Sequence, residues 1–322
     1  MLLVVVESSG SSPGRQGYKM AVGADGELSG SIGGGVMEVN LVDGARTLLS
    51  ASPQRGETAS EPGAVATGFP TGEFQPLVKE QVHRKNATNA SGMICSGKQT
   101  VIFRPLLSDN AKTVNTIIDA LNDRRPHHLT ISPQEFSVTP PNSETQNPDF
   151  HFKKLSDTDF IYAEKLGFKN DLYIVGGGHC ALALSELMSK MDFHISLFDD
   201  RPDLNTIDKN RFVHEITIIN GYDEIAKHIP SGENIYVVVM TLGYASDEIV
   251  IRNLLAHHLK YFGVLGSKAK MATLLNALKS ECIPGETLEK IHTPIGLSIN
   301  SRTPEEIAVS IAAEIIAVKN AD

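Results

Sequence analysis

The sequence has few cysteines and no long apolar run, and each shortage argues against a class of protein. The three cysteines among 322 residues are widely spaced, so they form neither a disulfide framework nor a zinc motif, and this usage favours a reducing cytoplasm. No apolar segment approaches the roughly 20 residues of a membrane helix. Met1–Val6 lacks a basic start and a small-residue cleavage site, so we expect a strand there and not a signal peptide.

The charge balance argues against a nucleic-acid partner. The formal net charge is -9, and the basic residues are not clustered as counterion release would require. With 41% hydrophobic and 21% charged residues, the composition is that of a globular protein. A chain of 322 residues exceeds the usual size of a single core, so we expect two domains.

The segment Asp171–Pro202 has the pattern of a dinucleotide-binding unit. It consists of a predicted buried strand, a glycine turn, a helix and a second buried strand. The positions that fit G-x-G-x-x-G/A are Gly176, Gly178 and Ala181. Asp199 and Asp200 follow at about the expected 20 residues, where an acid contacts a ribose and favours NAD over NADP; Asp199 is the better candidate. His179 and Cys180 crowd the approach of a pyrophosphate.

Alternating strands and helices continue to the end of the chain. The predicted strands are Ile216–Ile219, the strongly apolar Ile235–Met240 and the buried Tyr261–Leu265. Ser246 is the expected N-cap of one helix, and Thr303–Glu306 forms a capping box for the last helix. Ser267 and Lys268 start a helix directly after a strand, which suits an anion, and His292 lies in the loop that forms a further wall of the crevice. This half predicts a Rossmann-like, doubly wound parallel sheet.

Two glycine- and serine-rich stretches near the start suit an anion such as phosphate. The strand Leu2–Glu7 leads into a loop containing Ser9, Ser11 and Ser12, whose hydroxyl and N–H groups are exposed in such a loop; a flexible turn is the alternative. A predicted hairpin then leads into Gly33, Gly34 and Gly35, followed by a helix from about Val36 to Leu49. Glu38 falls in its first turn, either as a charge complementing the helix dipole or in a functional role.

Cys95 stands in the glycine-flanked segment Gly92–Gly97, immediately before the predicted strand Gln99–Arg104. Such a cysteine is a candidate nucleophile, redox thiol or soft metal ligand. The alternative is a small buried hydrophobic residue. Ser52–Phe74, rich in small and polar residues, predicts a mobile surface loop.

The middle of the chain predicts additional antiparallel strands that belong to the first domain. They follow a helix at Asn110–Asn122 and end in a linker near Glu164–Asn170. His127 and His128 are adjacent, so on a strand they point to opposite faces and cannot share a metal. We therefore expect an α/β protein in which a smaller α+β N-terminal domain, residues 1–168, precedes the Rossmann-like domain, residues 169–322.

Six phrases occur in order: Ser8–Pro13, Gly30–Gly35 with Glu38, Gly92–Cys95, Gly176–His179 with Asp199–Pro202, Gly266–Lys268, and His292–Gly296 with Arg302–Glu306. Together they resemble the XdhC/CoxI family of xanthine dehydrogenase accessory proteins, over nearly the whole chain. Many relatives read Cys-Gly-Gly where this chain has Cys95-Ser96-Gly97, and some carry a cysteine where it has Val36. A two-cysteine metal clamp is therefore excluded in the N-terminal domain.

The resemblance implies a chaperone that binds molybdenum cofactor (molybdopterin) without turnover of its own. Such a protein shields the cofactor while a cysteine desulfurase supplies its sulfido ligand, passes it to a xanthine dehydrogenase-type molybdenum hydroxylase, and commonly self-associates. The residues we assign to ligand binding are Ser9, Ser11, Ser12, Gly33, Gly34, Gly35, Glu38, Cys95, Gly176, Gly178, His179, Asp199, Asp200, Arg201, Ser267, Lys268 and His292, with Cys95 as candidate metal ligand.

Two alternatives stay open from the residues alone. One is an NAD(P)-dependent oxidoreductase that uses the glycine turn and the two aspartates, although no His-Asp or Lys-Tyr pair at recognisable spacing supplies its acid or base. The other is an interaction scaffold that binds an adenine nucleotide structurally, because a fold does not determine a function.

Overall fold

The computed structural model describes residues 1–51, 76–83, 97–124, 126–140, 149–281 and 283–321. The chain divides into two compact units, Met1–Gly167 (unit 1) and Phe168–Asp322 (unit 2). The predicted loop Ser52–Phe74 and the segment around Cys95 lie outside the described residues.

Unit 1 contains two antiparallel sheets. Its elements are β1 (Leu2–Gly10), β2 (Lys19–Val22), β3 (Leu28–Gly30), α1 (Gly35–Ala51), β4 (Leu77–His83), β5 (Gly97–Arg104), a 3-10 turn (Ser108–Asn110), α2 (Ala111–Leu121), β6 (His127–Ile131), β7 (Phe136–Thr139), β8 (Phe150–Lys154) and β9 (Phe160–Leu166). The first sheet has the order β3-β2-β1-β5-β4 and the second the order β7-β6-β9-β8.

Strand β1 is buried on both faces, which explains its unbroken apolar sequence. Successive side chains of a strand point to opposite faces. Leu3 and Val5 therefore pack in the core that α1 covers, whereas Val4 and Val6 pack in the core shared with the second sheet. This central strand holds both halves of unit 1 together.

Unit 2 is a doubly wound sheet of six parallel strands, as predicted. Its elements are β10 (Asn170–Val175), α3 (His179–Met188), β11 (Phe193–Asp199), α4 (Asn205–Asp208), β12 (Glu215–Ile218), a 3-10 helix (Tyr222–Lys227), β13 (Gly232–Val239), α5 (Tyr244–Leu254), β14 (Leu259–Val264), α6 (Lys268–Ser280), α7 (Gly285–Leu288), β15 (Ile291–His292) and α8 (Pro304–Lys319).

The strand order β12-β11-β10-β13-β14-β15 places the reversal of direction between β10 and β13. Helices α3 and α8 share a core with one face of the sheet, and α5, α6 and the 3-10 helix share a core with the other. In open sheets of this kind, ligands bind outside the carboxyl ends of the strands at the reversal point. We call the loops that follow β10, β11, β13, β14 and β15 the carboxyl edge.

Several local predictions were wrong. Ser8 and Ser9 belong to β1, where they pair with Gln99 and Lys98, so the expected loop starts later. The strands β4 and β8 were not predicted, and β9 extends through Leu166 into the expected linker. The strand continues because Glu164 faces inward and pairs with Lys19 at 2.6 Å, which compensates a buried carboxylate.

The expected cap at Ser246 was also wrong. Helix α5 begins two residues earlier, at Tyr244, with Gly243 as its N-cap, so Ser246 lies within the first turn. The capping box at the start of α8 is confirmed, since Thr303 and Glu306 exchange side-chain to backbone hydrogen bonds.

Candidate functional site

Three N-terminal motifs meet in unit 1 through close glycine contacts. Gly33 has φ +124°, and a Cβ there would overlap the backbone of Pro13 and Gly14. A Cβ at Gly97 would overlap the backbone around Ser12. The glycines therefore let the serine loop, the glycine turn and the start of β5 pack directly against one another.

The buried side chain of Gln99 fixes this meeting point. Its Nε2 donates to the Ile32 carbonyl at 2.8 Å, and its Oε1 accepts from the Ser12 hydroxyl at 3.1 Å. Ser12 is buried and its hydroxyl is already hydrogen-bonded, whereas Ser9 and Ser11 are exposed. Among the predicted serines, Ser9 and Ser11 are thus the accessible ones.

Glu38 occupies the glycine turn of unit 1. Its Oε2 accepts from the Ser31 hydroxyl at 2.7 Å, from Ile32 N at 2.9 Å and from Gly34 N at 3.0 Å. Partial burial opposes ionisation, but these donors outweigh it and lower the pKa of the Glu38 carboxyl. The carboxylate of the chain itself therefore takes the place that we predicted for an anion at Gly33–Gly35.

The glycine turn of unit 2 is arranged differently. Gly176 has φ +109°, and a Cβ there would overlap the Met240 carbonyl at the end of the neighbouring strand. Gly177 donates its N–H to Asp199 Oδ2 at 2.6 Å. A Cβ at Gly178 would face open space, and Gly178 is the N-cap of α3. The first amides of α3 have no partner within the helix, so this end of the turn is suited to an anion.

His179 and Cys180 form the first turn of α3. His179 is exposed, whereas Cys180 packs against the core beneath α3 and α8. Burial, and then the nearby Glu305 carboxylate, raise the pKa of the Cys180 thiol. A thiol with a raised pKa is a poor nucleophile, so Cys180 is a packing residue.

Asp199 ties the carboxyl end of β11 to the glycine turn. Its side chain is fully buried, and besides Gly177 it accepts from Arg201 N at 2.9 Å and from the Arg201 guanidinium at 2.8 Å. Burial opposes its charge, but the bonds from Arg201 and Gly177 outweigh it and lower its pKa. Asp200 is the more accessible acid, with 38% of its side chain exposed.

A second aspartate ties down the loop after β13, and the sequence did not single it out. Buried Asp247 accepts from the Thr241 backbone at 3.1 Å and from the Thr241 hydroxyl at 2.6 Å. Burial raises the pKa of Asp247 in spite of these bonds. In the next loop, Ser267 caps α6 by accepting from Lys270 N at 3.4 Å, and Lys268 is exposed.

His292 lies at the carboxyl end of β15, and two residues that we did not predict hold it. Its Nδ1 lies 3.3 Å from Glu314 Oε1, and its ring centroid lies 4.6 Å from that of Tyr261. Glu314 interrupts the apolar pattern of α8 between Ile311 and Ile315, and that interruption was the available signal.

The predicted site residues that the structure describes are distributed over both units. Unit 2 brings Gly176, Gly178, Asp199, Ser267 and His292 to its carboxyl edge by the parallel order of the strands. Within the described part of the chain, no group of three or more His, Cys, Asp or Glu side chains is placed to hold a metal ion. Over the same residues, no helix is sufficiently long and apolar to cross a membrane.

Comparison with protein families gives two matches. The model for the XdhC and CoxI family matches residues 1–60, and the model for the XdhC Rossmann domain matches residues 172–315. The matched regions include the glycine turns of both units and the end of β15 that carries His292.

Two curated relatives are similar at low identity. The chain is 21% identical to the uncharacterized protein YqeB of Escherichia coli (strain K12) over 98% of its own length and 43% of that protein. It is 28% identical to a probable xanthine dehydrogenase subunit of Bacillus subtilis (strain 168), over 52% of its own length and 48% of that protein. The chain thus spans less than half the length of these relatives.

A solved structure supports the fold. The crystal structure of a xanthine dehydrogenase from Bacillus halodurans matches with a TM-score of 0.69 at 22% identity, over 99% of this chain and 90% of that one. At this identity the match shows the shared architecture alone.

Proposed function

Because the chain belongs to the XdhC and CoxI family, we propose that it is an accessory protein of a xanthine dehydrogenase-type molybdenum hydroxylase. It binds molybdenum cofactor, shields it while a cysteine desulfurase supplies the sulfido ligand, and delivers it to the hydroxylase. The similarity to a probable xanthine dehydrogenase subunit supports this partner. We further propose that it acts in the cytoplasm and self-associates.

The observation that carries this proposal is the meeting of the N-terminal motifs at Gly14, Gly33 and Gly97. Cys95 precedes Gly97, the first residue of β5, by two residues in the sequence. A thiolate is a soft ligand, which suits molybdenum or a sulfur ligand bound to it. We therefore propose Cys95 as the ligand of the metal, as the family resemblance implies.

A phosphate group finds better partners in unit 2 than in the glycine turn of unit 1. In unit 1, Glu38 accepts the turn amides and would repel a phosphate. In unit 2, the N-terminus of α3 has open space at Gly178, and Lys268 supplies an exposed cation at the same edge. We therefore assign phosphate binding to Gly178 and the first turn of α3.

Cofactor retention tests the proposal. The purified protein is incubated with extract of a cofactor-rich host, re-isolated, and analysed for molybdenum and pterin. We expect retention by the wild type, loss of metal-dependent retention in Cys95→Ala, and full retention in the control Cys180→Ala. Undiminished retention by Cys95→Ala would rule out Cys95 as a required ligand, and absence of retention by the wild type would refute cofactor binding.

An NAD(P)-dependent oxidoreductase is the second candidate, and the strand order of unit 2 with its glycine turn favours it. The occupied Asp199 weighs against it, because a ribose hydroxyl would have to displace Arg201 or Gly177 from that carboxylate. Asp200 is the exposed acid that remains for a ribose. A thermal shift with NADH, together with hydride turnover in the purified protein, would establish this candidate in place of the chaperone.

A further inference from the structure

A half-buried carboxylate lies beneath the last strand of unit 2. Glu314, on α8, has only 17% of its side chain exposed. Its Oε2 accepts from the Tyr261 hydroxyl at 2.5 Å and from Gly296 N at 2.8 Å. Its Oε1 faces His292 Nδ1 at 3.3 Å. Both oxygens are thus committed, which compensates the cost of burying a charge.

These contacts hold the His292 ring in one orientation. The ring packs over Tyr261 at 4.6 Å between centroids, with the planes tilted by 34°. Gly263 pairs with His292 across the sheet, and a Cβ there would overlap Ile295 and approach the Tyr261 hydroxyl within 2.7 Å. The absence of that Cβ makes room for the whole arrangement, while 33% of the His292 side chain remains exposed.

The arrangement fixes which ring nitrogen of His292 carries the proton. Burial, and then the bond to Glu314, raise the pKa of Tyr261 far above its usual value, so Tyr261 remains a donor. Glu314 accepts from Tyr261, and a ring nitrogen that faces its carboxylate at 3.3 Å has to carry a proton, which places a proton on Nδ1 of His292. In the neutral Nδ1–H tautomer, Nε2 keeps its lone pair and is an acceptor.

We propose that His292 is the residue that accepts a hydrogen bond from the heterocyclic end of the ligand at the carboxyl edge, with Glu314 as its positioning residue. An acceptor of this kind selects a ring N–H next to a carbonyl, the lactam group of pterins, hypoxanthine and guanine. Leu242, 81% exposed, and the exposed Leu297 lie on loops of the same edge and offer apolar surface to a flat ring. The assignment rests on the proposed binding of a phosphate-bearing ligand at this edge.

The first test needs no ligand. Nitrogen-15 NMR of the imidazole reports the tautomer, and we expect the Nδ1–H form for His292 in the wild type. In Glu314→Gln the ring should lose this fixed tautomer, whereas the exposed His258, paired with Glu233 at 2.6 Å through Nε2, serves as the internal reference. A wild-type His292 with its proton on Nε2 would overturn the proposal.

The second test compares two matched probes by calorimetry. Inosine diphosphate has a lactam N–H in its base, whereas adenosine diphosphate has a bare ring nitrogen at that position. We expect the wild type to bind inosine diphosphate about tenfold more tightly, which corresponds to one well-placed hydrogen bond. His292→Phe should bind both probes equally, Glu314→Gln should show a reduced preference, and the control His258→Phe should retain the full preference.

The outcomes separate this proposal from the function it rests on. If His292→Phe retains the preference, or the wild type has none, the assignment of His292 is wrong while nucleotide binding at the edge stands. If the wild type binds neither diphosphate, the assignment is also wrong. Cofactor retention, measured as described above, then decides whether the accessory function fails with it.

Discussion

The two glycine turns of this protein have similar sequences, but a carboxylate of the chain takes the turn amides in one of them and leaves the helix start open in the other. In unit 1, Glu38 comes from the helix that the turn introduces, and its carboxylate accepts the turn amides. In unit 2, Asp199 comes from the next strand and accepts from the Gly177 amide of the turn and from Arg201. The space at Gly178 stays open at the start of α3.

This difference shows that a glycine run before a helix is insufficient evidence for a phosphate site. The glycines provide close backbone approach and exposed N–H groups. Whether an anion binds there depends on where the nearest carboxylate of the chain is attached. In unit 1 the turn serves packing, whereas in unit 2 it leaves the start of α3 accessible to a ligand.

The largest effect should come from the glycine that packs against a neighbouring strand. Gly176→Ala places a Cβ against the Met240 carbonyl at a positive φ, and we expect it to destabilise unit 2 by about 3 kcal/mol or more. Gly178→Ala, at φ -74° with open space, should cost less than about 1 kcal/mol. Hydrogen exchange of unit 2 amides measures both. An equal loss of stability in the two variants would contradict the view that Gly176 is packed tightly and Gly178 is not.

Removing the charge of Asp199 in unit 2 should cause the next largest loss of stability. Asp199→Asn removes the charge from a fully buried group that holds Arg201 and Gly177, and we expect a loss of about 2–4 kcal/mol. Urea unfolding followed by hydrogen exchange resolves the unit concerned. The exposed Asp203→Asn is the matched control, and a similar loss there would show that the position of the charge is irrelevant.

Removing the charge of Glu38 in unit 1 should cost less stability and should change the binding of phosphate. Glu38→Gln weakens charge-assisted bonds at a partly exposed turn, so we expect a loss of about 1 kcal/mol. Glu305→Gln, another first-turn acid, is the control. Glu38→Ala should also free the turn amides to bind inorganic phosphate. We therefore expect phosphate to raise the melting temperature of Glu38→Ala and not that of the wild type. A wild type with the same shift would show that Glu38 does not fill the site.

Acid should destabilise the two turns unequally. Both carboxyl groups have lowered pKa values in the folded state, so their contributions are present above the ordinary carboxyl pKa near 4 and disappear as the pH falls through the lowered values. Asp199 is buried, whereas Glu38 is partly solvated and screened. Amide exchange recorded from pH 6 to pH 3 should therefore show a larger loss of protection around Gly177 than around Gly34.

Much of the fold was predictable from local patterns. The strands of unit 2, its glycine turn and the capping box at Thr303 follow from periodicity and helix-start signals, and the structure confirms them, with β12 as an exposed edge strand. Strands β4 and β8 were missed because they are mixed in character and find their partners in β5 and β9. Their pairing is a property of distant residues, so a local pattern did not reveal it.

The backbone motifs of the candidate site could be predicted from the sequence, whereas the hydrogen-bond partners of its side chains could not. Glycine and serine positions could be identified because their conformational demands are local. The roles of Gln99, Asp247 and Glu314 depend on contacts made across long stretches of chain, such as the bond from Gln99 to Ile32. A polar residue within an apolar strand or helix face was the one sign of them.

By itself the sequence determined the doubly wound parallel sheet, the family, and the backbone motifs at which a ligand is to be sought. These follow from hydrophobic periodicity and from glycines, whose physics is local. Only the tertiary structure decided that Glu38 accepts the amides of one turn, that Arg201 donates to Asp199, and that Glu314 lies 3.3 Å from His292 Nδ1. Hydrogen-bond partners are chosen by proximity in three dimensions, and spacing along the chain does not encode that choice.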